Sequence, residues 1–309
     1  MTSDAGAADL IARCAAELYR AEASRRPTEP LTRRFPRLTV PEAYRIQQAN
    51  IERRLAGGER VVGHKIGLTA KAMQEKFGVS EPDYGHLLDT MLHDERTPLD
   101  LTGLIDPQIE VEPAFVLGRR LEGPNVGVDE VLAATDHIRV CFEVIDSRII
   151  DWQVRLQDTV ADNGSSARVV LGAHKADAAA LQLDNLETEL EVDGMVVETG
   201  NTSAILGHPA NGIAWLANRI SEFGLSLDAG HVVLPGTCTR CVRIGGHTLV
   251  AGRIEGLGEV TLRLTGAPSV PNRRDPSTRR SRPVRRRALL PPRTGCERSR
   301  QSFPRTAHR

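Results

Sequence analysis

The sequence predicts an α+β protein with a mostly antiparallel β core, and three observations carry that prediction. Helical periodicity marks residues 5–24 and 39–56 near the start of the chain. Short apolar segments divided by glycines crowd residues 231–264 near its end. Between them, residues 187–199 (ETELEVDGMVVET) alternate polar and apolar on both sides of Asp193-Gly194, the two-residue signature of a hairpin turn. Helices gathered early and strands gathered late favour α+β over the strand–helix alternation of an α/β sheet.

In chain order, residues 5–24 place Leu10, Ile11, Cys14 and Leu18 on one helical face, and the Pro-punctuated residues 26–36 connect. Thr39-Val40-Pro41-Glu42 reads as a capping box with proline in the first turn, opening a helix that runs through Tyr44, Ile46, Ala49 and Ile51 to Gly57-Gly58. Residues 61–69 form a short strand with Lys65 embedded in it, and Thr69 reads as the N-cap of a helix ending at Gly78. Ser80-Glu81-Pro82-Asp83-Tyr84-Gly85 carries turn chemistry. Residues 128–138 read as a short helix, and the polar residues 146–166 as a long functional loop whose Asp162-Asn163-Gly164-Ser165-Ser166 suits either a lid over an anion or a plain surface loop. A helix follows at 209–223 with Gly224 as its stop, then strands at 231–234, 239–244, 248–255 and 259–264.

The formal net charge of zero conceals an uneven distribution. Residues 268–309 hold thirteen arginines against Asp275 and Glu297, so an acidic body carries a basic tail. That tail is rich in Pro, Arg, Ser and Thr and too poor in apolar residues to bury a core, so it reads as a disordered extension. Phosphate contacts through it would make the chain a nucleic-acid binder, but Phe303 is its lone aromatic and no recognition module surrounds it. No long apolar run suggests a membrane span, and residues 1–6 show no basic-then-apolar leader. Cys14, Cys141, Cys238, Cys241 and Cys296 are odd in number and scattered, which argues for reduced thiols and a cytoplasmic protein. Cys238-Thr239-Arg240-Cys241 reads as two unlinked thiols, a redox pair or half a zinc site. No P-loop, G-x-G-x-x-G or H-E-x-x-H occurs.

Chemistry concentrates in residues 107–147. Glu110 and Glu112 lie two apart in the apolar stretch 109–117, so in a strand both point to one face. Glu143 sits in a similar setting, Val140-Cys141-Phe142-Glu143-Val144-Ile145. Ionised carboxylates in apolar strands need compensation. Three of them would suit a hard cation such as Mg²⁺ or Mn²⁺, while edge-strand glutamates facing water satisfy the same pattern. Lys65 is open in the same way: a buried lysine opposite Asp83 or the glutamates, or an edge lysine in solvent.

Eight blocks in order resemble the 2-keto-4-pentenoate (2-hydroxypenta-2,4-dienoate) hydratase family of the fumarylacetoacetate hydrolase superfamily. They are GHKIGLT (63–69), PDYG (82–85), PQIEVE (107–112), FEVIDSRIIDW (142–152), DTVADNGSS (158–166), LGHP (206–209), PGTCTR (235–240) and EGLGEV (255–260). The resemblance spans about residues 5–265. It implies a β-rich roll-like catalytic core over 61–266, a smaller helical/αβ region over 1–60, and a tail from 267 outside the family pattern. It further implies that Glu110, Glu112 and Glu143 hold Mg²⁺ or Mn²⁺, that Lys65 and Asp83 are catalytic, and that Ser165 lies beside the substrate. The implied reaction is hydration of a 2-hydroxydienoate by a homo-oligomer, with an aldolase or decarboxylase as possible pathway partner. The rival within the family is 4-oxalocrotonate decarboxylase. Two residues depart from the pattern: Gly164 stands where alanine is expected, and His64 precedes the lysine where other side chains are usual.

Overall fold

The computed structural model describes residues 2–270. The arginine-rich tail expected to be disordered falls outside the described residues from 271 onward. In chain order the elements are α1 (Thr2–Ser24), α2 (Leu31–Arg34), α3 (Val40–Ala56), β1 (Val61–Gly67), α4 (Lys71–Phe77), β2 (Asp83–Leu88), β3 (Leu92–His93), β4 (Leu99–Asp100), β5 (Gln108–Leu117), α5 (Val128–Ala134) and β6 (Thr135–Ile145). They continue with α6 (Leu156–Ala161), β7 (Ser166–Leu171), β8 (Glu187–Val192), β9 (Met195–Asn201), α7 (Pro209–Ser221), β10 (Val232–Leu234), β11 (Val242–Arg243), β12 (Leu249–Ile254) and β13 (Gly258–Thr265). Among the described residues no helix is long and apolar enough to cross a membrane.

Two sheets form the core. One runs β2-β1-β10-β5-β6-β7-β3, with β11 also on β5; the other runs β4-β13-β12-β8-β9. Most neighbours are antiparallel, and β1/β10, β3/β7 and β4/β13 are parallel. Strand alternation divides the work of β5 and β6 between their two faces. Ile109, Val111 and Phe115 of β5, with Phe142 and Val144 of β6, join Val250 and Leu262 of the second sheet in the main apolar cluster. Burying each such aromatic or aliphatic side chain contributes roughly 1.5–3 kcal/mol. The sheets meet closely at Gly252, where a Cβ would come within 2.7 Å of Phe142 Cε1. The opposite face carries Glu110, Glu112, Ala114, Cys141 and Glu143. There Ala114 and Cys141 join Leu87, Val169, Val232 and Leu234 in a smaller cluster.

The capping box expected at residue 39 is present: Glu42 N–H donates to Thr39 Oγ1, and Glu42 Oε2 accepts from Thr39 N–H. The hairpin at Asp193-Gly194 also forms, closing β8 on β9. Four expectations need correction. Ala70, not Thr69, is the N-cap of α4, because Thr69 is buried against Gly236. The helix expected over 128–138 ends at Ala134, because pairing with β5 claims the chain from Thr135. The strand expected over 239–244 shrinks to Val242–Arg243, the two residues that reach Ile109 and Gln108 of β5. The long loop expected over 146–166 instead contains α6, whose Val160 and Ala161 pack with Cys14, Leu18 and Ile46 of the N-terminal helices. Asp158, fully buried, accepts from Thr32 N–H and Oγ1–H and ties α6 to α2.

Candidate active site

Pairing of β5 with β6 sets Glu110 directly opposite Glu143, with Glu112 two residues along the same face. A carboxylate oxygen from each of the three lies within 4.8 Å of the others. Glu112 and Glu143 are buried and Glu110 is half-buried, so none is the water-facing edge glutamate that the pattern also allowed. Gly236 N–H donates to Glu112 Oε2 at 2.8 Å. Both oxygens of Glu143 are buried outside full hydrogen-bond geometry, with Ser166 and Lys65 as their polar neighbours.

Lys65 reaches this cluster from β1. It is 6% exposed, and its Nζ lies 3.6 Å from Glu143 Oε2, a charge partner beyond full hydrogen-bond range. Burial disfavours the ammonium, but Glu143, Asp83, Glu110 and Glu112 outweigh it and hold the pKa above the ordinary lysine value. Asp83 opens β2 on the face that carries Lys65 and is 3% exposed, with Oδ1 unpartnered. Burial raises its pKa, and the charge of Lys65 opposes that rise.

The three glutamates show the same competition. Burial and then the charge of Glu143 push Glu110 up to about 7, while Lys65 pulls it back. Glu112 is raised by burial and by both other glutamates, and Glu143 by burial against the pull of Lys65. Two buried glutamates and one half-buried one, with neither Glu143 oxygen in full hydrogen-bond geometry and one ammonium nearby, form an under-compensated donor set. All-oxygen ligation of this kind fits a hard divalent cation.

Ser165 sits in the turn between α6 and β7, 2% exposed, and its Oγ–H donates to Asp162 Oδ2 at 2.9 Å. Asp162 in turn receives Arg148 Nε–H at 2.5 Å, Arg148 N–H at 3.1 Å and Ser147 Oγ–H at 3.3 Å. Sequence reasoning missed this Arg148–Asp162 pair and the Gly236 contact to Glu112, although their blocks carried the resemblance. The next hydroxyl, Ser166 Oγ, is buried without a partner. His64 points to the other face of β1, where its ring lies 5.0 Å from that of His86 and 5.9 Å from that of His231. The thiols of the C-x-x-C take separate partners: Cys238 Sγ accepts from Thr188 Oγ1–H, and Cys241 Sγ donates to Gln108 Oε1.

A mixed β core brings three carboxylates together beside a buried lysine, a donor set of the kind a divalent cation takes. The family described as fumarylacetoacetate (FAA) hydrolase C-terminal matches residues 90–265, and the chain belongs to that family. A 2-hydroxyhexa-2,4-dienoate hydratase of Comamonas testosteroni is 41% identical over 250 residues, spanning 80% of this chain and 95% of the relative. A 2-keto-4-pentenoate hydratase of Burkholderia vietnamiensis is 42% identical over 255 residues, spanning 82% and 97%. Among solved structures, 4-oxalocrotonate decarboxylase from Pseudomonas putida G7, complexed with magnesium and adipate, superposes with a TM-score of 0.79. It is 35% identical, with 83% of this chain and 97% of that one covered.

Proposed function

We propose that the chain is a divalent-metal-dependent hydratase converting 2-hydroxypenta-2,4-dienoate and water to 4-hydroxy-2-oxopentanoate. The observation that carries this reading is the convergence of Glu110, Glu112 and Glu143 within 4.8 Å, with Lys65 Nζ 3.6 Å from Glu143. The named activities of the hydratase relatives supply the substrate class. Mg²⁺ or Mn²⁺ would be held by the three glutamates and would supply Lewis acidity toward the C1 carboxylate and C2 oxygen of the substrate. The complexes of the decarboxylase with magnesium and with calcium support a divalent cation in this role.

The reaction moves protons at defined atoms. The C2 hydroxyl proton leaves as C5 gains one, giving a conjugated enone; water then adds at C4, and C3 takes the remaining proton. Lys65 and Asp83 are the proton carriers of the pocket. Lys65, kept charged by four carboxylates, donates or shares a proton across the site. Asp83, its pKa raised by burial and its Oδ1 unpartnered, is poised to take one. Ser165 follows Gly164, where a Cβ would lie 3.0 Å from Lys65 Nζ, and in this reading its turn lines the substrate side of the pocket.

An ultraviolet assay of the full chain with Mg²⁺ or Mn²⁺ tests the reading, with 2-hydroxypenta-2,4-dienoate in one cuvette and 2-oxohex-3-enedioate in another. Metal-dependent loss of the dienoate absorbance with 4-hydroxy-2-oxopentanoate formed is the expected result. Release of CO₂ from the diacid, with the dienoate untouched, would replace hydratase by the decarboxylase activity of the structural neighbour.

A further inference from the structure

Lys65 lies in a slot whose walls are bare backbone. On β1 its same-face neighbours are Gly63 and Gly67, and its partner across the ladder on β2 is Gly85. A Cβ on Gly67 would fall 2.2 Å from Asp83 Oδ1, and one on Gly85 would fall 2.7 Å from Asn163 O. A Cβ on Gly164 would fall 3.0 Å from Lys65 Nζ and 3.1 Å from its Cδ. The segment Asn163–Ser165 therefore lies directly against the lysine stem.

That segment has an uncommon backbone. Asn163, Gly164 and Ser165 have φ of 56, 59 and 58° in succession, a left-handed turn in which two of three residues are not glycine. Each non-glycine residue there costs roughly 1–2 kcal/mol, so the turn persists only if something holds it. Asparagine tolerates this region better than most residues. Its amide also makes a two-way clasp: Oδ1 accepts from His86 N–H at 2.8 Å and Nδ2–H donates to His86 O at 2.9 Å. β2 is the edge of its sheet, so the Asn163 amide takes up backbone groups that no strand satisfies. The far end of the turn is tied separately, with Asp146 N–H donating to Ser165 O at 2.8 Å and Ser165 Oγ–H to Asp162.

We propose that Asn163 is a positioning residue for Lys65: its amide clasps the left-handed turn to the edge of β2, and the bare backbone of Gly164 then fixes where the lysine amine lies relative to Glu143 and Asp83. This rests on the reading of Lys65 as a proton carrier. The residue acts through the turn and touches no reacting atom, so its signature is a fall in turnover without a fall in binding.

The test compares full-length wild type, Asn163→Gly, Asn163→Asp and Lys65→Met, each loaded with Mn²⁺. Glycine adopts the same φ without strain and removes only the clasp. Aspartate still accepts from His86 N–H but cannot donate to His86 O. For Asn163→Gly, kcat should drop between about tenfold and a hundredfold, the scale of a small misplacement of a catalytic group. KM, Mn²⁺ binding by electron paramagnetic resonance and the circular dichroism spectrum should stay at wild-type values. Asn163→Asp should recover part of the loss. Wild-type kcat in Asn163→Gly, together with an inactive Lys65→Met, would overturn the clasp alone. Parallel loss of Mn²⁺ binding or of folded structure in both Asn163 variants would overturn it too, by showing a general structural role. Wild-type kcat in Lys65→Met would overturn the proton-carrier reading and the clasp with it.

Discussion

Replacing Asp162 by asparagine removes one charge from the tightest ion pair behind the site. Asp162 is 2% exposed and Arg148 5%. The guanidinium gives Nε–H to Asp162 Oδ1, a second N–H to the Asp162 carbonyl, and Nη1–H to the carbonyls of Asp146 and Ser166 at 2.9 and 3.2 Å. Asparagine preserves the shape but leaves a buried cation without its counter-charge, and the Oδ2 acceptor used by Ser165, Ser147 and the Arg148 N–H is replaced by an amide donor. Breaking a buried pair from one side costs roughly 3–5 kcal/mol. Asp146 offsets part of this, because it stays beside Arg148, which helps hold down a carboxyl that burial pushes up to about 6. The lower end, about 3 kcal/mol, is therefore expected, a large share of a typical total of about 5–15 kcal/mol. Urea denaturation followed by tryptophan fluorescence measures it. Trp152 is a local reporter, since its Nε1–H donates to Asp106 O at 3.1 Å. A loss below about 1 kcal/mol would refute the view that this pair holds the turn in place.

The buried histidines give a pH prediction. Burial lowers the pKa of His64, further depressed by His86 and His231, and lowers His86 to about 4 and His231 below the usual value. Because the unfolded chain then takes up protons first, stability present above about pH 6.5 is lost as pH falls toward the folded value near 4. For His86 the loss should reach about 2 kcal/mol by about pH 5, read as the shrinking difference between wild type and His86→Leu. The raised carboxylates push in the opposite direction in both proteins and cancel in that comparison; a constant difference across the range would contradict it. Gly236→Ala should destabilise by about 2 kcal/mol or more and weaken Mn²⁺ binding, because its φ is +115° and a Cβ would meet Thr69 Oγ1 at 2.0 Å. Wild-type melting and Mn²⁺ affinity in that variant would contradict the role given to the Gly236 N–H on Glu112.

Local signals survived folding where local chemistry decided the outcome. Thr39 and Glu42 satisfy each other's backbone, and Asp193-Gly194 sets its own turn, so both were legible. Glu110 and Glu112 were legible as one face because side-chain direction alternates along any strand. Their burial was not, because it depends on which strands cover that face. Likewise the boundary between α5 and β6 at Thr135 follows from pairing with β5, against a sequence that reads as helix for four more residues. Residues 146–166 read as a long loop because charged residues usually face water. Here Asp146, Arg148, Asp158 and Asp162 are buried, and each is compensated by a partner remote in sequence or on the next turn. Three successive left-handed residues have no sequence signature beyond Asn-Gly, which also marks hairpins.

The central claim is that Glu110, Glu112 and Glu143 form one divalent-cation site on which hydration depends. Its most direct test is a Mn²⁺ titration of metal-stripped protein by isothermal calorimetry, with dienoate hydration assayed at each step, for wild type and for Glu110→Ala, Glu112→Ala and Glu143→Ala. Wild type should bind one Mn²⁺ per chain, with activity that rises in proportion to occupancy, and each variant should lose both. Wild-type turnover in chelated buffer, or undiminished Mn²⁺ binding in all three variants, would contradict it.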